Sequence, residues 1–358
     1  MAKKRFQYAY NIILFLKLAW KMFHANNTFG IYHGYAKRVA KETILKSYLL
    51  NDGSIPDHIF KKIQWYMVEA VIMGEMLAIL AEHPVSKRDK KSLIYLGAIM
   101  ALFDVIIDDF KLPGNTVHRI LENTFSSVRR APLNNETAIE KVYYLYLDKL
   151  TGIIEMEQWS EIAGRLSNIK SQIESDVQTS ETISEENVTL ITLEKGGVSA
   201  LICSAFIRQK NDSFKDAVFQ IGGFIQMMND CQDMYKDTIA GIKTFVHFCK
   251  SFDDIFIRLN EQRIKTFRLI RSLDYPQNVI YKTLFDLNAM FIIISYKLHL
   301  YSEICDYRLD FKAIGSKDKK SFRINPFSLQ SLRACSPKIL PFDFNNSEST
   351  PGSKFEMS

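Results

Sequence analysis

Gly222-Gly223-Phe224-Ile225-Gln226-Met227-Met228-Asn229-Asp230-Cys231-Gln232-Asp233-Met234-Tyr235-Lys236-Asp237 is the stretch on which the reading of this chain turns. Its apolar residues recur every three or four positions, the period of an amphipathic helix. At that period Gln226, Asn229, Asp230, Asp233 and Asp237 share one face, and Asn229, Asp233 and Asp237 stand one turn apart. At 1.5 Å per residue these three oxygen donors form a ladder about 12 Å long. Hard oxygen ligands on a rigid rod suit Mg2+, which keeps part of its water shell and shares the rest with phosphate oxygens.

A second acidic ladder lies upstream, in Ala101-Leu102-Phe103-Asp104-Val105-Ile106-Ile107-Asp108-Asp109-Phe110. Asp104 and Asp108 are four apart and stack on one helical face. Their neighbours are almost wholly apolar: Met100 precedes Asp104 by one turn, and the nearest cation in the sequence is Lys111. Carboxylates on an apolar helix are costly unless a cation lies between them. A single acidic ladder is more often a solvated or capping stretch. Two of them on separate long helices, both in apolar surroundings, point to a shared task. If the helices face each other across a bundle, the carboxylates can hold metal ions and clamp a diphosphate.

Helical periodicity extends outward from both ladders. It predicts helices near 5–23, 30–50, 57–83, 88–111, 115–130, 135–178 with a break at Gly152, 184–209, 214–240, 252–273 and 277–310. Turn chemistry separates them at Asn51-Asp52-Gly53-Ser54-Ile55-Pro56, His83-Pro84, Leu112-Pro113-Gly114-Asn115 and Tyr275-Pro276, and Ser184 before Glu185-Glu186 is a helix cap. Only 15 Gly and 9 Pro stand beside 25 Phe and 16 Tyr, which excludes a turn-rich β-sandwich, a collagen-like repeat and a disordered chain. The expected fold is all-α, one bundle of about ten or more helices around a central hydrophobic cavity.

Three regions follow. Residues 1–29 are expected to form an amphipathic helix. Lys3-Lys4-Arg5 before Ile12-Ile13-Leu14-Phe15-Leu16 has the outline of a signal peptide, but Lys17 and Lys21 interrupt the apolar run and bulky residues occupy the cleavage region. Residues 30–310 are the working domain. From 311 to 358 Ser, Asn, Pro and Lys crowd in, and a disordered tail is expected. No run reaches the roughly 18 consecutive apolar residues of a membrane span, so no transmembrane segment and a cytoplasmic location are expected. Cys203, Cys231, Cys249, Cys305 and Cys335 are odd in number and widely spaced, as buried thiols in a reducing compartment would be. The 46 basic and 40 acidic residues give a net charge of +6, with both signs along most of the chain. That excludes a strong nucleic-acid signature and suits a ligand with several negative charges.

The two ladders resemble the aspartate-rich motifs of the class I isoprenoid synthases, the superfamily of prenyl diphosphate synthases, squalene and phytoene synthases and class I terpene cyclases. Asp104-xxx-Asp108-Asp109 is similar to the first motif in its squalene-synthase-like form. Gln226-xx-Asn229-xxx-Asp233-xxx-Asp237 is similar to the second motif of squalene and phytoene synthases. Asn229-Asp230-xx-Asp233-xx-Lys236-Asp237 also resembles the terpene-cyclase pattern, with aspartates in place of its serine and glutamate. The resemblance implies that Asp104, Asp108, Asn229, Asp233 and Asp237 bind Mg2+, three ions in all, with Asp109, Gln226 and Asp230 as additional candidates. Lys195 in Glu194-Lys195-Gly196-Gly197 matches the diphosphate-binding lysine of the elongating enzymes, although Gly196 replaces its threonine. Lys236 matches a basic position of the cyclase pattern, Lys243 lies one residue off a Gly-Lys pair, and Arg308 follows Tyr307 where cyclases carry the reverse order.

The resemblance implies a prenyl diphosphate substrate, ionised to a carbocation inside an apolar chamber lined by some of Phe103, Phe224, Met227, Met228 and Tyr235. A homodimer is compatible with it. Elongating enzymes carry an Arg-Arg just after the first motif; here Lys111-Leu112-Pro113 follows, and Arg129-Arg130 comes about twenty residues too late. The preferred expectation is therefore a terpene cyclase that uses one prenyl diphosphate. The alternatives are a prenyltransferase and a non-catalytic helical protein that binds a prenyl ligand.

Overall fold

The computed structural model describes residues 2–27, 34–106, 110, 114–125, 136–169, 176–207, 211–325 and 328–344. Over these residues the chain is all-helical, with no strand among them. The helices are α1 (Ala2–Asn27), α2 (Gly34–Leu49), α3 (Asp57–Leu80), α4 (Lys87–Asp104), α5 (Gly114–Phe125), α6 (Ala138–Thr151), α7 (Met156–Ile169), α8 (Asp176–Thr179), α9 (Glu185–Cys203), α10 (Asp212–Ala240), α11 (Phe252–Arg271), α12 (Gln277–Ile304), α13 (Phe311–Ser316) and α14 (Leu329–Ile339).

The helix ends follow their local chemistry. Ser86 and Asp89 form a reciprocal capping box on α4, and Thr137 and Glu140 form another on α6. Asn211 caps α10 by accepting from the Phe214 N–H at 2.8 Å, and Gly241 ends that helix in the left-handed conformation at φ 69°. Ser184 accepts from the Asn187 N–H at 3.2 Å, as the sequence predicts for the start of α9. Before α3, the side chain of Asn51 accepts from the N–H groups of Gly53 and Ile55, which folds the predicted turn.

The chain forms two compact units. The first comprises Met1–Phe23, Glu174–Ser199 and Lys210–Ser358; the second comprises His24–Ile173 and Ala200–Gln209. In the second unit α4 packs between α3 and α6, and its residues from Leu93 to Phe103 are almost continuously buried. In the first unit α10 packs against α11 and α12, and α12 carries α14. Phe224, Phe256 and Phe291 meet in the core of that unit, with ring centroids 6.3 Å and 5.6 Å from Phe291.

One expectation is corrected. The segment from 311 onward is not a structureless tail over 311–325 and 328–344. It forms α13 and α14, and it buries Ile314, Phe322, Leu332, Cys335, Ile339 and Phe342. Its apolar residues are too sparse to make a core of their own, but they suffice to cover an existing one. Residues 345–358 lie outside the described residues.

Asp57–Leu80, Glu185–Phe206 and Gln277–Ile304 are each long and apolar enough to cross a membrane by length and composition, although no uninterrupted apolar run is present. The most apolar window of Gln277–Ile304 is 83% buried within the protein, which identifies α12 as a core helix; the other two windows are 44% and 50% buried. All five cysteines are free and buried, as expected of thiols.

Candidate metal and diphosphate site

Helix α10 runs unbroken for 29 residues, and the predicted ladder lies in its C-terminal half. Its face divides into two sets of side chains. Asp230 turns inward: it is buried, accepts from Gln226 Nε2 at 2.9 Å on one carboxylate oxygen and from Thr192 Oγ1 of α9 at 2.9 Å on the other. Burial pushes its pKa up to about 6, against the two hydrogen bonds that hold it down. The Thr192–Asp230 bond thus ties α9 to α10, while Gln226 holds the other carboxylate oxygen from within α10.

The remaining donors form a graded series. Asn229 is exposed, Asp233 is half-buried and Asp237 is buried. Lys236 Nζ, which is exposed, stands 3.4 Å from the Asp233 carboxylate. Asp237 receives no hydrogen bond to its carboxylate among the described residues. Burial, and then the charges of Asp233 and Asp230, push its pKa up to about 7, while Lys236 and Lys195 oppose that rise. Three carboxylates thus lie within electrostatic reach of one another, and that of Asp237 has no donor among the described residues.

Lys195 lies near enough to Asp230 and Asp237 to favour their ionised forms, so α9 does bring this lysine to the acidic end of α10. The glycines after it serve the approach of the two helices. A Cβ on Gly196 would stand 2.2 Å from the Gly222 carbonyl oxygen, and one on Gly197 would stand 2.4 Å from the Phe219 ring. No kink is needed to explain them, because α9 continues through both.

Lys243 and Arg308 are placed differently. Lys243 Nζ donates to the carbonyls of Ser180 and Glu181 at 3.0 Å and 3.1 Å, and its N–H donates to Gln178, so it fastens the turn before α9. Arg308 is exposed, in the turn that follows α12 through Asp306 and Tyr307, both at positive φ.

A cation that sequence reading did not single out is Lys297 on α12. It is buried, donates to the Gln232 carbonyl at 3.1 Å and lies 5.2 Å from the Tyr301 ring centroid. Burial pulls its pKa down to about 8, and the charge of Asp233 works against that fall. The signal available in the sequence was a lone lysine in the apolar run from Phe291 to Leu298.

Asp104 belongs to the second unit. Its carboxylate is 2.8 Å from Lys62 Nζ and accepts from the Tyr66 hydroxyl at 3.2 Å, both from α3. The expectation that its nearest cation is Lys111 is therefore corrected: the helix alongside supplies one. The regular α-helix ends at Asp104 and widens into a π-turn at Val105–Ile106, with the Phe110 N–H donating to the Val105 carbonyl at 2.9 Å. Such turns shift the register of the residues that follow and recur at functional sites. Asp108, Asp109, Lys111 and Arg129-Arg130 lie outside the described residues. Among the described residues, no group of three or more His, Cys, Asp or Glu side chains is gathered closely enough to hold a metal ion by itself.

The aromatics proposed to line a chamber are packed. Phe103, Phe224, Met227 and Met228 are buried, and Tyr235 stacks on Phe322 at 4.8 Å with its hydroxyl donating to the Lys317 carbonyl.

No family model matches the chain, and no curated protein matches it. Among solved structures it is similar to a geranyltransferase from Legionella pneumophila, at 17% identity and a TM-score of 0.42, covering 83% of this chain and 99% of that one.

Proposed function

We propose that this chain is a Mg2+-dependent class I terpene cyclase. In this reading it takes one linear prenyl diphosphate, breaks the allylic C–O bond to release pyrophosphate, and lets the carbocation cyclise and lose a proton. The observation that carries the reading is the buried carboxylate of Asp237 beside Asp230 and Asp233 on α10. Among the described residues that carboxylate has no hydrogen-bond donor, and the charges of Asp233 and Asp230 beside it raise its pKa further.

The donor set fits a hard divalent cation. Asn229, Asp233 and Asp237 offer oxygen ligands one turn apart, and the gradient from exposed to buried lets the ions keep water on one side. Asp104, with Asp108 and Asp109, is the second ligand set implied by the family resemblance. Bound Mg2+ would supply the positive charge that offsets the departing diphosphate. Lys195 and Lys236 would orient the diphosphate oxygens and strengthen their hold as negative charge grows on them. Buried Lys297 holds the Gln232 carbonyl and keeps positive charge beneath Asp233, which favours the ionised carboxylate. Apolar surroundings would exclude water from the cation.

The test is incubation with Mg2+ and C10, C15 or C20 prenyl diphosphate, each with and without isopentenyl diphosphate. A cyclic hydrocarbon or alcohol formed without the C5 unit supports the proposal, and Asp233→Ala together with Asp237→Ala should cut its rate by about 100-fold or more. Product that appears only with the C5 unit, or a dimeric C30 or C40 hydrocarbon, replaces the cyclase reading by a prenyltransferase. No turnover and no Mg2+-dependent stabilisation by pyrophosphate would remove the metal site altogether.

A further inference from the structure

The basic surplus of this chain is concentrated at one end. Of the 46 basic and 40 acidic residues, eight basic and no acidic ones lie in residues 1–41, so the chain from Glu42 onward is slightly acidic. Five of the eight, Lys3, Lys4, Arg5, Lys17 and Lys21, are on α1. The positive charge that suggested an anionic ligand is thus not mainly at the acidic ladders. Lys3-Lys4-Arg5 occupy the first turn of α1, where the helix dipole favours acidic residues and none is present. Local helix stability does not account for them.

Helix α1 is held to its unit by one face. Asn11 Nδ2 donates to the carbonyls of Leu340 and Phe342 at 2.8 Å and 3.0 Å, its side-chain oxygen accepts from the Tyr281 hydroxyl, and Leu14 and Leu18 are buried beside it. The opposite face presents Phe6, Ile13 and Leu16, which are 79%, 51% and 60% exposed, with exposed Ala9 between them. Their spacing of i, i+3, i+7 and i+10 makes one continuous apolar stripe, and exposed Lys17 borders it.

An apolar stripe with a basic border and no acid is the pattern of a helix lying in a bilayer interface. We propose that α1 seats this protein on an anionic lipid surface, parallel to the membrane plane. Phe6, Ile13 and Leu16 enter the boundary of the acyl chains, while Lys17 at the edge of the stripe and the basic surplus of residues 1–41 favour anionic headgroups. The docked face of α1, with Asn11 bonded to the chain, keeps the helix from spanning. The proposal is independent of the reaction proposed above, and its test uses no substrate.

The full chain is sedimented with phosphatidylcholine vesicles, with and without phosphatidylglycerol. Binding is expected only to the anionic vesicles and should weaken as salt is raised. The Phe6→Ser, Ile13→Ser, Leu16→Ser variant and the Arg5→Glu, Lys17→Glu variant should each bind about tenfold or more weakly. The charge variant leaves the docked face intact, so it decides the matter even if the apolar variant fails to fold. Absence of vesicle binding, equal binding to neutral vesicles, or variants that bind like wild type would overturn the proposal. So would a wild-type dimer that the apolar variant converts to a monomer without any vesicle binding, since the stripe would then be a contact between two copies.

Discussion

Asp230 and Asp237 sit seven residues apart on one helix, and both are pushed above the usual carboxylate range, to about 6 and about 7. Asp230 has its donors in Thr192 and Gln226, so its raised value reflects burial first, with the charge of Asp233 adding to it, against satisfied oxygens. Asp237 has no such donors among the described residues, and the charges of Asp233 and Asp230 raise it further against the opposing charges of Lys236 and Lys195. The native state therefore binds more protons at Asp237 than the unfolded chain does between about pH 4 and pH 7, so stability from this group is present at low pH and falls as pH rises through that window. Asp237→Asn should stabilise the metal-free protein at pH 8 by on the order of 2 kcal/mol, with little effect at pH 4, as read by thermal melts at both pH values. The same substitution should abolish stabilisation by Mg2+ with pyrophosphate. A site that is more stable without its acid is one in which stability has been traded for binding.

At the scale of elements, the seam between α9 and α10 governs the site. Thr192 and Lys195 can reach the acidic end of α10 because Gly196, Gly197, Gly222 and Gly223 let the two backbones approach closely. Gly196→Ala would place a methyl against the Gly222 carbonyl and the Gln226 Cβ, both backbone-anchored and unable to give way. It should cost about 1–3 kcal/mol in a denaturant titration and weaken Mg2+ with pyrophosphate, because the helices must separate. The element order and most helix ends were readable from periodicity and turn chemistry: Ser184, Gly241 and Pro276 stand at or next to the helix ends. The π-turn after Asp104 was not, since a widened turn leaves the apolar pattern of 101–106 almost unchanged.

At the scale of the whole molecule, the first unit is closed by segments from both ends of the chain. Asn11 of α1 bonds to carbonyls at Leu340 and Phe342, Tyr281 reaches Asn11 and Phe342, and α14 lies on α12. Removing residues 328–358 would uncover α12 and strip Leu332, Cys335, Ile339 and Phe342 from the core. With about 2–5 kcal/mol lost for each large apolar side chain, the melting temperature should fall by about 10 °C or more, and limited proteolysis should then cut α1. A truncated protein that melts like the full chain would show that these contacts contribute little.

The sequence by itself determined the all-helical class, because scarce glycine and proline and a 3.6-residue apolar period leave a chain few alternatives. It also determined the ladder on α10, since spacing along a helix fixes which side chains share a face. Partners distant in sequence were decided only by the tertiary structure. Lys62 came to Asp104, Thr192 to Asp230, and Lys297 to the Gln232 carbonyl beside Asp233. The residues after 311 became a cover for α12 because a sparse apolar set needs an existing surface to gain from burial. Sequence periodicity records which way a side chain faces on its own helix; what it meets there depends on how the helices pack.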